Sequence, residues 1–185
     1  MRKLIKQVKR RLFYRALIQR YNEVMINQKT SKITPNEAQT VALIFDATKS
    51  ENRKMIDDFA DKLRIKGKKV TIFGFYDDKI EPTGLAFRFF NQKNVSWKGI
   101  PSGEEVGRFL EEKFDLLYDC SLGESLPLEW ISALSNARFK IGPAIHDWIH
   151  YDLIVGGKNK NLNHFIEQAA FHAAKITKNH ALSTV

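Results

Sequence analysis

The chain has 185 residues, of which 43% are hydrophobic and 28% charged, and a formal net charge of +9. These values are typical of one soluble globular domain. The single cysteine, Cys120, excludes an internal disulfide framework, and no apolar run approaches the ~20 residues that span a bilayer. The charged amino terminus also lacks the apolar centre of a secretory signal, so we expect a cytoplasmic protein. Cys120 ends an apolar run, so we expect its thiol to be buried.

The positive charge is concentrated at the front of the chain. Residues 1–40 hold ten Lys and Arg against two acids, whereas the remaining 145 residues hold 20 against 19. Apolar residues recur there at i, i+3 and i+4, which predicts one amphipathic helix over residues 1–28. Its basic residues are Arg2, Lys3, Lys6, Lys9, Arg10, Arg11, Arg15 and Arg20.

Three interpretations of this helix remain open. It can dock on the domain or on a second copy of the chain, with its basic face in solvent. It can lie on an anionic membrane surface, which would make the protein peripheral at the inner membrane face. It can also contact the phosphates of RNA or the ribosome, and charge alone does not separate the last two interpretations.

Residues 29–40 are polar and contain Pro35, so we predict a linker there. The apolar run 41–46 predicts a buried parallel strand, and 70–75 predicts a second one. Between them, apolar periodicity over 51–65 predicts a helix with Ser50 as its N-cap. This order is a βαβ unit.

The middle of the chain is less regular. Residues 85–90 and 94–97 flank a turn-like segment, which indicates a hairpin or a pair of edge strands. Ser102 and Glu105 have the spacing of a capping box and predict a helix to about residue 113.

The second half of the chain repeats the strand–helix order. Strands are predicted at 115–120, from 138 onwards and at 151–155, with helices at 128–135 and 162–177. We therefore predict a single three-layer, Rossmann-like α/β domain over residues 41–185, with a mainly parallel sheet and helices on both faces.

Two passages carry a resemblance to known proteins. FDLLYDCS (114–121) and LEWISALSNARFKIG (128–142) resemble the amino-terminal domain of heptosyltransferase-type glycosyltransferases. The matching residues are Asp115, Leu116, Asp119, Leu134, Ala137, Ile141 and Gly142. The whole chain is also similar to short, uncharacterised bacterial proteins with a basic leading helix and a domain of unknown function.

The transferase resemblance implies a Rossmann-like fold and little more. Those enzymes have two domains and bind the sugar nucleotide mostly in the second, which 185 residues cannot accommodate. Their first strand leads into a glycine-rich turn, whereas here it leads into residues 47–50, Ala-Thr-Lys-Ser. We therefore transfer the fold from this resemblance and no catalytic residues.

Polar residues at the predicted strand ends form the candidate ligand site, because open parallel sheets bind ligands there. They are Asp46, Thr48, Lys49 and Ser50 after the first strand, and Asp119 and Ser121 after the central strand. The absence of glycine from the first turn excludes a dinucleotide fingerprint or a phosphate loop. The same residues can instead cap helices.

No catalytic motif is present, and we predict no cofactor and no metal. His146 and His150 have an i, i+4 spacing, but two histidines are a weak metal signal. The leading hypothesis is a non-catalytic protein that associates through its basic helix with itself, a partner chain or an anionic surface. The alternative is a small domain that is either glycosyltransferase-like or binds a nucleotide or sugar phosphate, with its site at the carboxyl ends of the strands.

Overall fold

The fold is given by a computed structural model. It describes residues 2–27, 33–80, 82–145, 151–156 and 161–176. The helices are α1 (Arg2–Asn27), α2 (Ser50–Ile65), α3 (Glu104–Glu111), α4 (Leu126–Leu134) and α5 (Leu162–Lys175). The strands are β1 (Thr40–Asp46), β2 (Lys69–Tyr76), β3 (Arg88–Asn91), β4 (Lys113–Asp119), β5 (Asn136–Pro143) and β6 (Leu153–Val155).

The strands form one six-stranded sheet in the order β3-β2-β1-β4-β5-β6, and every pair of neighbouring strands is parallel. Side chains of β1 alternate between the two faces. Val41, Leu43 and Phe45 pack with α2 and α5, whereas Ala42 and Ile44 pack with α3 and α4. The predicted three-layer, parallel α/β fold is confirmed.

The central strands were predictable because both of their faces are covered. A strand buried on both sides has no polar face, so it reads as an unbroken apolar run. All five residues from Val41 to Phe45 are buried, as are those from Leu116 to Cys120. The predicted ends of β1, β2 and α2 differ from the observed ends by at most one residue.

Of the two alternatives predicted for residues 85–97, the hairpin is wrong, and of the pair of edge strands one forms, β3, at the edge of the sheet. β3 pairs in parallel with β2, with Phe73 opposite Arg88. The chain then enters a 3₁₀ turn at Gln92–Asn94, where the Asn91 side chain accepts a hydrogen bond from the Lys93 N–H at 2.9 Å. This cap replaces the reversal that a hairpin needs.

Two predicted helix caps are also wrong. α2 begins at Ser50 with Lys49 as its N-cap, and no side chain caps it. The N-cap of α3 is Gly103, again without a side-chain cap. Glu105 binds Arg88 at 2.9 Å instead of completing a capping box, because β3 brings that guanidinium alongside α3.

Helix α1 packs outside α4 and adds a partial fourth layer. Phe13 and Leu17 are completely buried against Ala133, Leu134 and Tyr151. These two positions are four residues apart and lie on one face of the helix. The front helix therefore docks on the domain through the turns around Phe13 and Leu17, in the middle of its length.

Candidate functional site

The strand order creates a crevice at the centre of the sheet. β1 and β4 are neighbours. The helix that follows β1 lies on one face, and the helix that follows β4 lies on the other. At the carboxyl ends of β1 and β4 the chain therefore leaves towards opposite faces of the sheet. Open α/β sheets bind ligands at such a switch point.

Asp46 lies at this point, at the end of β1, and is half-buried. Its Oδ1 accepts a hydrogen bond from the Thr48 N–H at 2.9 Å, and the Thr48 hydroxyl accepts one from the Asp77 N–H at 3.0 Å. Lys49 and Ser50 are exposed at the start of α2. Of these four predicted site residues, only Asp46 lines the crevice.

Asp119 and Ser121 are buried inside the fold. The Asp119 side chain has no solvent exposure. Its Oδ1 accepts hydrogen bonds from the N–H and the hydroxyl of Ser121, and its Oδ2 accepts one from the Tyr151 hydroxyl at 2.8 Å. Both carboxylate oxygens are therefore used internally. The structure does not bring these two residues to the surface that Asp46 lines.

The buried polar network continues from Tyr151 to Lys140. The Ser132 hydroxyl donates to the Tyr151 oxygen at 3.4 Å. The Lys140 ammonium donates to the carbonyls of Ser132 and Ala133 at 3.0 and 2.9 Å. Burial lowers the pKa of Lys140 to about 8, against an opposing attraction to Asp152 and Asp119. Sequence reasoning missed this lysine, since it lies in a strand that reads as apolar.

The depressed pKa of Lys140 predicts a pH-dependent stability. In the unfolded chain a lysine has a pKa of about 10.4, so between pH 8 and that value the unfolded state binds more protons. The free energy of unfolding should therefore rise with pH in this window, relative to Lys140→Met, by about 1.4 kcal/mol per pH unit at most. Urea unfolding of both proteins at several pH values measures it.

Comparison with the variant is essential because burial raises the pKa of Tyr118 and Cys120 in the same core. Those groups favour unfolding as the pH rises, and they are present in both proteins. Lys113→Met, at an exposed position of β4, is the control and should parallel the wild type. Parallel curves for Lys140→Met would contradict the depressed pKa.

The crevice has a volume of about 230 Å³ and is walled by α1, the ends of β1 and β2, the 3₁₀ turn and the start of α4. Its polar lining residues are Lys9, Asp46, Asp77, Gln92, Glu124 and Ser125. A second cavity of about 170 Å³ shares Lys9 and Glu124 with it and adds Lys6 and Arg10. The two cavities are therefore adjacent, and α1 forms a wall of both.

Several polar groups of the crevice are incompletely bonded. Asp46 and Asp77 each use Oδ1, for the Thr48 N–H and the Gln92 amide respectively, and their Oδ2 atoms bind no described residue. The Ser125 hydroxyl is buried without a hydrogen-bond partner in the described part of the chain. Buried polar groups are normally bonded, so this oxygen needs a partner.

Sequence reasoning missed Lys9, Asp77 and Gln92 as neighbours of Asp46. Asp77 carried a usable signal, because it directly follows β2 and the ends of parallel strands meet at one edge of the sheet. Lys9 carried none, since only the docking of α1 places it there.

The outward face of α1 is a second candidate site. Leu4, Ile5 and Val8 are 65, 60 and 47% exposed. Leu4, Val8, Arg11 and Arg15 share one face, because they are spaced by three, four or seven residues. Arg11 and Arg15 are also exposed. We call this surface, formed by Leu4, Ile5, Val8, Arg11 and Arg15, the outer face of α1.

A larger cavity, of about 370 Å³, lies at the ends of β5 and β6 beside the start of α5. Pro143, Val155 and Phe165 are among its lining residues. Its rim includes Ile145 and Gly156, which adjoin chain segments outside the described residues, so we assign it no role.

Metal and thiol chemistry find no support among the described residues. Within residues 2–27, 33–80, 82–145, 151–156 and 161–176, no three His, Cys, Asp or Glu residues form a group that could hold a metal ion. His146 and His150 lie outside the described residues. Cys120 is buried as expected, and burial raises its pKa, which disfavours the reactive thiolate.

Comparison with known proteins places the chain in a family. No curated protein matches it. A family model described as a family of unknown function, DUF6913, matches residues 9–171. The matched region begins within α1 and ends within α5, so it includes the Phe13 and Leu17 contacts and the whole sheet. This protein therefore belongs to the family of unknown function DUF6913.

Proposed function

We propose that this protein is a binding domain that attaches to an anionic lipid surface through the outer face of α1. The observation that carries the proposal is the exposure of Leu4, Ile5 and Val8 on a strongly basic helix. Helix α1 contains eight Lys and Arg residues and one acid, Glu23. Aliphatic side chains beside cations are typical of helices that lie at a membrane interface.

The docking of α1 supports this orientation. Phe13 and Leu17 hold the middle of the helix against α4, so its outer face is directed away from the domain. The aliphatic residues of that face can enter the headgroup boundary while Arg11 and Arg15 meet anionic headgroups. None of the described helices has the length and apolar character that crossing a membrane requires.

A lipid surface fits the outer face of α1 better than a second copy of the chain or RNA does. Two copies pairing through it would bring Arg11 and Arg15 of each chain towards those of the other, with no acid on the outer face to compensate. RNA would use the cations but would leave Leu4, Ile5 and Val8 without a role, since phosphate contacts supply most of the affinity. A lipid surface uses both kinds of side chain.

The test is cosedimentation of the full chain with phosphatidylcholine vesicles, with and without phosphatidylglycerol, across a salt series. We expect binding only to the anionic vesicles. Each cation near such a surface contributes ~1 kcal/mol, so Arg11→Gln/Arg15→Gln should weaken binding about thirty-fold. Leu4→Gln/Ile5→Gln/Val8→Gln should weaken it at least about ten-fold, because the buried apolar area is lost.

The controls lie on α2 and the residue after it. Lys62→Gln/Lys66→Gln removes two exposed cations, and Ile65→Gln removes an isoleucine that is 85% exposed. Neither control should change vesicle binding. Equal losses in the control and test variants would refute a role for the outer face. RNA binding that survives Leu4→Gln/Ile5→Gln/Val8→Gln, together with no vesicle binding, would favour the nucleic-acid interpretation instead.

A further inference from the structure

The crevice offers acceptors on one wall and cations on the other. The half-buried Asp46 and the exposed Asp77 supply Oδ2 atoms that bind no described residue. A group that binds both must donate hydrogen bonds to two carboxylates. Sugar hydroxyls do this because each both donates and accepts.

The cationic wall belongs to the inner side of α1. Lys9 is half-buried, and its side chain lies beside Gly99, where an added Cβ would stand 3.5 Å from Lys9 Cε. Lys9 forms no ion pair with any residue that the structure describes. Glycine at position 99 adopts φ +88° and so allows the approach of the Lys9 and Leu126 side chains.

Lys6 and Arg10 stand next to Lys9 in the adjoining cavity. Each makes a long ion pair with the exposed Glu124, at 3.9 and 3.8 Å. Such exposed pairs contribute little stability, so an anion can displace them at low cost. Cations of this kind are suited to a phosphate, with arginine able to bind it in a bidentate manner.

We propose that the crevice binds a small sugar phosphate, with its hydroxyls on Asp46 and Asp77 and its phosphate on Lys9 and Arg10. The volume of about 230 Å³ suits a single sugar, and the adjoining 170 Å³ gives space for the phosphate. The first turn has no glycine-rich loop, so the phosphate is bound by side chains of α1 and not by a backbone cradle. Helix α1 thus completes the site.

The proposal is independent of lipid attachment, because Lys9 and Arg10 do not belong to the outer face of α1. Calorimetric titration of the full chain with ribose 5-phosphate and with glucose 6-phosphate tests it directly. Ribose, glucose and inorganic phosphate are the matched partial ligands. We expect at least one sugar phosphate to bind more tightly than its free sugar and than inorganic phosphate.

Variants separate the two halves of the site. Asp77→Ala should weaken sugar phosphate binding about ten-fold or more, so that its affinity approaches the affinity for inorganic phosphate. Lys9→Gln should lower the affinity for the sugar phosphate towards the affinity for the free sugar. Asp58→Ala and Lys62→Gln change exposed residues of α2 and should have no effect.

Three results would overturn the proposal. The first is no saturable binding of either sugar phosphate by the folded wild type. The second is equally tight binding of inorganic phosphate, which would leave the carboxylates without a role. The third is unchanged affinity in both Asp77→Ala and Lys9→Gln, which would place the ligand elsewhere. Circular dichroism of each variant confirms that it is folded.

Discussion

A Gly142→Ala substitution should destabilise the protein by about 4 kcal/mol, which approaches the total stability of many domains. A Cβ atom at position 142 would lie 2.2 Å from Cζ and 2.3 Å from Cε1 of Tyr151. These atoms belong to a rigid ring, and Gly142 is in a buried strand, so moving either the ring or the strand disturbs the packed core.

The cost has two sources. Overpacking of a well-packed core costs about 1–3 kcal/mol. Displacing the Tyr151 ring also breaks its 2.8 Å hydrogen bond to Asp119, and leaving that buried carboxylate oxygen without a donor costs roughly 1–3 kcal/mol or more. The clash and the lost hydrogen bond act together because the same ring carries both.

Urea unfolding of wild type and Gly142→Ala measures the effect. Gly107→Ala is the matched control, since Gly107 lies within α3 and an added Cβ there meets nothing within 4 Å. It should leave the protein equally stable or up to about 1 kcal/mol more stable, because alanine favours helix. Combined with Tyr151→Ala, the Gly142→Ala cost should shrink, and an undiminished cost would contradict the steric origin.

A Phe13→Ala substitution should cost about 3–5 kcal/mol of the free energy that holds α1 on the domain. Phe13 is fully buried, and its ring centroid lies 5.9 Å from that of Trp130 in α4 and 5.3 Å from that of Tyr14. Removal of the ring leaves a cavity between α1 and α4 that neighbouring side chains fill only in part.

Hydrogen exchange of the α1 amides, together with urea unfolding, distinguishes the local opening of α1 from the unfolding of the whole domain. We expect faster exchange throughout α1, because the helix makes its main contacts with α4 and can open while the sheet stays folded. Leu4→Ala, on the outer face of the same helix, should change stability by less than about 0.5 kcal/mol. Similar effects of the two substitutions would contradict the inward placement of Phe13.

Gly142 belongs to the passage of the chain that resembles glycosyltransferase domains, and that resemblance implies the Rossmann-like fold that the structure shows. The absence of a side chain at Gly142 leaves the space that the Tyr151 ring occupies.

The candidate site could be predicted only in part. Asp46 was expected at a strand end and lines the crevice, whereas Asp119 followed the same rule and is completely buried. Both residues follow an apolar strand, so the local pattern is the same. Tyr151, 32 residues further along the chain, binds Asp119 and removes it from solvent, and no spacing in the sequence predicts that contact.

The sequence by itself determined the layers, the direction of the strands and the position of most helices. It did so because burial on two faces requires continuous apolar strands, and burial on one face requires helical periodicity. It also located the excess charge in residues 1–40.

Only the tertiary structure decided how α1 is used. The apolar residues of that helix suggested a single stripe, but Phe13 and Leu17 face the domain while Leu4, Ile5 and Val8 face solvent. The periodicity of a helix shows that apolar residues cluster and not which cluster meets a partner. That choice depends on where α4 places Trp130 and Leu134, and the same docking brings Lys9 to the crevice.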